Sequence, residues 1–219
     1  MDKGVDPLDD LLSVQPAHVH KKPKLLLKVV REAYPIGVPA LILKSHTDRL
    51  AIAGGYQFHL GTPDSILRRI CSWLLTNQIE GVLEMLISDL WKRHGREDVA
   101  LFALILANIH TIDDSKAWEI FNGVLSSSEA VEGLLLVIEE MFRAKRERPT
   151  SEVVLQWCES GGIHSQFALI VYHAWWIRNQ REDIENDLVH AFNTIKCPEE
   201  DSLVGRIRGQ LLEGSEAIM

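Results

Sequence analysis

Long apolar runs are missing from this 219-residue chain: the stretch Leu134–Ile138 stops at Glu139 and Glu140, far short of the ~20 residues a membrane span needs. The opening residues carry Asp2, Asp6, Asp9 and Asp10 and no apolar core of secretion-signal type. Cysteine is scarce. Cys71, Cys158 and Cys197 are odd in number, far apart and form no C-x-x-C pair, which excludes a disulfide framework and reads as reduced, structural thiols. No segment alternates as a strand would. There is no G-x-x-x-x-G-K, no G-x-G-x-x-G, no H-E-x-x-H and no G-x-S-x-G, so phosphate loops, zincins and the α/β-hydrolase nucleophile are excluded as motifs. These absences predict a soluble intracellular protein without a membrane segment, metal or cofactor. Its expected place is the cytoplasm, or the nucleoid or nucleus if it binds DNA.

What is present is helical periodicity. The chain is 46% hydrophobic, enough for a full core in one domain, expected over 23–219. Residues 1–22 are acidic and Pro-interrupted and read as a flexible leader or a short docking helix around Leu8–Leu12. Beyond Pro23 the spacing predicts helices over 23–34, 38–44, 49–58, 62–76, 78–93, 96–109, 113–125, 128–145, 151–160, 165–179, 183–195 and 202–213. Thr62 reads as an N-cap with Pro63 at the first helical position. The clearest feature is a helical hairpin, in which Met85, Leu86, Leu90 and Trp91 lead into a turn at Gly95, and Ala100, Leu101, Leu104 and Ile105 follow it. Gly95 reads as the helix stop, and Glu97 and Asp98 as acids facing the next helix's free amides. Twelve short helices with short connections predict an all-α chain, an α-solenoid of degenerate HEAT-like antiparallel helix pairs without a clean period.

Net charge is −8, which argues against non-specific coating of nucleic acid. The basic residues nevertheless cluster: Arg68 and Arg69, then Lys92, Arg93 and Arg96, then Arg146 and Arg148, then Arg178 and Arg181. They read either as ordinary partners of helix C-termini or as a shared basic groove. Trp175 and Trp176 read first as core packing; the alternative is that Tyr172 and Trp176, at i and i+4, make one aromatic ridge beside Arg178. Cys158, His164 and Ser165 are close in sequence, which by itself makes no nucleophile. His18 and His20 are a weak metal candidate.

Three stretches resemble the DNA alkylation-repair family of HEAT-like DNA glycosylases. Gly61-Thr62-Pro63-Asp64-Ser65-Ile66-Leu67-Arg68 is similar to that family's Gly-to-Arg helix opening. Leu90-Trp91, followed by Arg96-Glu97 and Ala103, resembles its Leu-Trp, Arg-Glu, Ala hairpin, and Leu203–Leu212 resembles its last helix. The likeness covers residues 58–213 and implies helix pairs that hold duplex DNA on a concave basic face, here through Arg68, Arg69, Lys92, Arg93, Arg96, Arg146, Arg148 and Arg178. The chemistry positions depart. The family's Trp-x-x-x-Asp falls on Ser128 and Glu132, its arginine on Gln166, and its late tryptophan on Gln210. Glu132 keeps a charge, and is the one catalytic candidate. Ser128 and Gln210 offer no aromatic face to a cationic base, and Gln166 cannot ion-pair a phosphate. The resemblance therefore implies an inactive, DNA-backbone-binding relative. The alternative is a protein-interaction scaffold using the same groove, which the acidic balance suits.

Overall fold

The computed structural model describes residues 6–39, 44–77, 79, 81–126, 129–181, 183–199 and 201–216. Among them the chain is all-helical, with twelve α-helices, one 3-10 turn and no strand. No described helix is long and apolar enough to cross a membrane. The chain divides into two compact units, 1–111 and 112–219.

The first unit holds α1 (Pro7–Ser13), the 3-10 turn Val19–Lys21, α2 (Pro23–Ala33), α3 (Lys44–Ala53), α4 (Asp64–Thr76), α5 (Val82–Arg93) and α6 (Arg96–Asn108). Beyond its first turn helix α6 is apolar all round, and every side chain from Glu97 to Ala107 is buried, so it is the axis against which α4 and α5 pack. Helix α2 lies on α5, and α1 on α2. Residues 7–13, read from sequence as leader or docking helix, are seated in this unit by Leu8, which is fully buried, and Leu12. Each such side chain contributes ~1.5–3 kcal/mol on leaving water. Asp6 caps α1 by accepting from the amides of Leu8 and Asp9.

The second unit holds α7 (Asp114–Val124), α8 (Val131–Arg143), α9 (Ser151–Ser160), α10 (Gly162–Arg178), α11 (Asn186–Thr194) and α12 (Leu203–Glu216). Here α10 is central, packed against α8, α9 and α12, while α11 bridges α9 and α12. Trp118, Trp157 and Phe167 are buried together at its N-terminal half.

Several local readings are corrected. The left-handed residue that ends α5 is His94 (φ 53°), not Gly95, which has an ordinary φ of −75°. Glycine is needed at 95 for space, since a Cβ there would stand 2.0 Å from Cζ of Phe58. Thr62 does not cap α4; its hydroxyl is buried and donates to the Tyr34 carbonyl at 2.8 Å. Helix α5 starts at Val82, after left-handed Gly81, rather than at 78. Tyr172 and Trp176 are both buried, which is the core packing expected of them in preference to a surface ridge.

Candidate functional site

Helix α6 opens with two carboxylates that water does not reach. Oε1 of Glu97 accepts from the amides of Leu60, Gly61 and Thr62 at 3.0, 2.9 and 3.3 Å, fixing the segment that leads into α4. His59 Nε2 is 3.8 Å from the same oxygen. Asp98 accepts from the Tyr34 phenol at 2.9 Å and faces Arg93 Nη1 at 3.5 Å. Burial pushes the Asp98 carboxyl up to about 6, against the pull of Arg93 and Tyr34. Burial, and the neighbouring Asp98 charge, push the Tyr34 phenol well above its ordinary range. These groups sit inside the packing of α2, α5 and α6, where they hold the hairpin in place.

The basic residues expected to converge on one groove are largely committed to carboxylates. Arg68 pairs with Asp64 at 2.7 Å, Arg69 with Asp6 and Asp9 at 2.9 and 2.6 Å, and Arg93 with buried Asp98. In the second unit Arg146 pairs with Asp114 at 2.8 Å and Arg178 with Glu139. Arg148 lies over the Trp175 ring at 4.4 Å, with Glu185 3.8 Å away. Lys92 and Arg96 stand outside these ion pairs among the described residues. Six of the eight thus have a carboxylate within 3.8 Å, a partner other than the helix C-termini or the shared groove that the sequence suggests.

Lys92 belongs instead to a cleft of about 560 Å³ between α5 and the start of α2, shared with Lys21, Lys22 and Lys24. All four lysines are exposed, and among the described residues none makes an ion pair. Leu25 and exposed Met85 form its apolar wall, and among the described residues Asp89 is the one acid on its lining. The sequence signal is the Lys21-Lys22-Pro23-Lys24 run, which the expected boundary at residue 22 splits between leader and first helix, and whose fourth lysine, Lys92, is far away along the chain.

The second unit has a groove of about 390 Å³ between α8, α10 and α12; of the positions that the resemblance singles out, Glu132 and Gln166 are not on its lining. Gln210 lines it, with its Oε1 2.7 Å from Nε2 of His173. Glu132 lies seven residues before the groove residue Glu139, and Gln166 seven before His173. Seven residues is close to two helical turns, so both continue the strips of α8 and α10 that wall the groove. Ser128 lies outside the described residues. The groove is lined by Leu135, Ile177, Leu203 and Ile207 and by the Glu139–Arg178 pair; no tryptophan, tyrosine or phenylalanine lines it among the described residues. Burial pulls the His173 imidazole below its ordinary value, so it is neutral near pH 7.

Comparison with protein-family models, with curated proteins and with solved structures finds no match to this chain. The groove must be read on its own chemistry. Among the described residues a cationic base would find no tryptophan, tyrosine or phenylalanine face in it, and the Glu139 carboxylate on its lining is engaged by Arg178. Nor do the remaining nucleophile candidates assemble. Ser165 donates to the Gly162 carbonyl, His164 Nδ1 lies 2.8 Å from Asn122 Oδ1, and burial pushes the Cys158 thiol up to about 12. Among the described residues no three His, Cys, Asp or Glu side chains stand together as a metal site requires.

Proposed function

We propose that the chain is a non-catalytic, DNA alkylation-repair-like helical protein that binds the backbone of duplex DNA. The observation that carries this reading is the cleft in which Lys21, Lys22, Lys24 and Lys92 stand exposed without ion-pair partners among the described residues. Uncompensated lysines release counterions on meeting phosphate, whereas arginines already held by carboxylates gain little from the exchange. A net charge of −8 keeps such binding local to the cleft and low in overall affinity.

The test is binding of undamaged and alkylated duplexes over a salt series. Four phosphate contacts predict a log–log salt slope of about −3.6, and so a loss of about a hundredfold between about 50 and about 200 mM salt. Replacing Lys21, Lys22, Lys24 and Lys92 with glutamine flattens that slope. No binding at low salt rejects the reading. Release of an alkylated base, abolished by Glu132→Gln, would overturn the non-catalytic part.

One observation favours a second reading, a protein-interaction scaffold. Ile177 and Leu203 are 49% and 42% exposed on the groove of the second unit, the kind of apolar surface a partner helix covers. It predicts a co-purifying polypeptide that Ile177→Glu and Leu203→Glu variants lose.

A further inference from the structure

Arg69 stands on the open side of α4, and both terminal nitrogens of its guanidinium are taken. One donates to Asp6 Oδ2 at 2.9 Å and the other to Asp9 Oδ1 at 2.6 Å. That edge is the pair of donors with which an arginine grips two phosphate oxygens. Asp6 and Asp9 lie three residues apart at the start of α1, so one helical turn offers two carboxylate oxygens where a phosphate would offer two of its own. A third acid, Asp10, sits on the same helix, and no ion pair joins it to Arg69. Around Arg69 the local charge is therefore negative, and a DNA strand approaching it is repelled rather than drawn in.

The helix that carries these acids depends on its contacts for its place. Seven residues are too few for a helix stable by itself, and α1 is held by the buried side chains of Leu8 and Leu12 together with the Arg69 pairs. We propose that α1 is an acidic clasp that occupies the phosphate-gripping edge of Arg69 and holds the protein in a weakened DNA-binding state. The inference rests on the DNA-binding reading above. It adds that Arg69 is a phosphate contact held in reserve, released when α1 lifts or loses its charge.

The experiment is a salt series with undamaged duplex DNA and the full chain. The proteins compared are wild type, an Asp6→Asn/Asp9→Asn variant, Asp10→Asn, and Asp6→Asn/Asp9→Asn with Arg69→Gln. Asparagine caps helices as well as aspartate, so α1 survives these changes, which circular dichroism checks. The double variant is expected to bind about fivefold to tenfold tighter at about 50 mM salt, with its salt slope steeper by about 0.9. Asp10→Asn, which removes one of the same charges from the same helix without freeing Arg69, changes affinity by about twofold at most. Adding Arg69→Gln cancels the gain. A gain from Asp10→Asn about half as large on a logarithmic scale as that of the double variant, which removes two charges, or a gain that survives Arg69→Gln, would show a net-charge effect and overturn the clasp. Salt-dependent binding by wild type with no gain in the double variant also overturns it while leaving the DNA reading intact. Absence of binding by every variant rejects both.

Discussion

The phenol of Tyr34 reaches across 64 residues of chain to donate a 2.9 Å hydrogen bond to Asp98, and both side chains are buried. Tyr34 ends α2 and Asp98 stands in the first turn of α6, so the bond ties two helices at one point. Tyr34→Phe keeps the ring and removes the donor, leaving a buried carboxylate short of a partner. The expected loss is about 1–3 kcal/mol in urea unfolding of the first unit, followed by the fluorescence of Trp73 and Trp91. A loss below about 0.5 kcal/mol would mean that Arg93 and water satisfy Asp98 without the phenol.

Asp98 makes stability depend on pH. Its carboxyl is raised from 3.8 to about 6, chiefly by burial, with Arg93 on α5, Tyr34 at the end of α2 and Glu97 on α6 facing it. The folded chain holds the proton more tightly than the unfolded one. The contribution is therefore complete below pH 3.8 and is lost as pH rises through 6, on the order of 2–3 kcal/mol across that window. Asp6 and Asp114, held below 3.8, act in the opposite sense and only in more acid solution. Asp98→Asn should flatten the fall between about pH 4 and about pH 6. Parallel wild-type and variant curves would assign the fall elsewhere.

Gly95→Ala should destabilise the hairpin by about 1–3 kcal/mol, because the new methyl meets the Phe58 ring at 2.0 to 2.4 Å. The Phe58 main chain is held in place, since its carbonyl accepts from the Arg96 amide at 2.9 Å, so the ring has to turn about its own side-chain bonds to make room. Phe58→Ala in the same chain makes room for the methyl. Thermal melts of the two single variants and the double would then show a non-additive, smaller combined loss.

Arg146 gives a prediction of the opposite kind for nucleic acid. Its side chain is 10% exposed and bonds Asp114 and the Ile112 carbonyl. Arg146→Ala should lower the stability of the second unit by about 1–3 kcal/mol and leave the DNA salt slope unchanged. A flattened slope would place phosphate at Arg146 after all.

The helices were legible because their apolar spacing decides them: Pro23–Ala33, Arg96–Asn108 and Ser151–Ser160 lie within a residue of the expected bounds. Turn chemistry was less legible. At the hairpin, glycine suggested a left-handed stop, but the space taken by Phe58 explains it and His94 bears the positive φ. Charge was least legible of all. A run such as Lys92-Arg93 does not say that one residue faces a cleft and the next a buried aspartate; a rotation of about 100° along the helix decides that. The Lys21–Lys24 cleft needed α5 to be folded against α2 before its fourth lysine was in place.

Glu97 has one more consequence, for the order in which the chain acquires structure. The amides of residues 60–62 are held by a carboxylate that lies 35 to 37 residues further along. A chain emerging from the ribosome therefore makes the sequence of α4 well before it makes the group that anchors the approach to that helix. Until residue 97 appears, those amides stay with water, and the approach to α4 takes its final form only once α6 has begun.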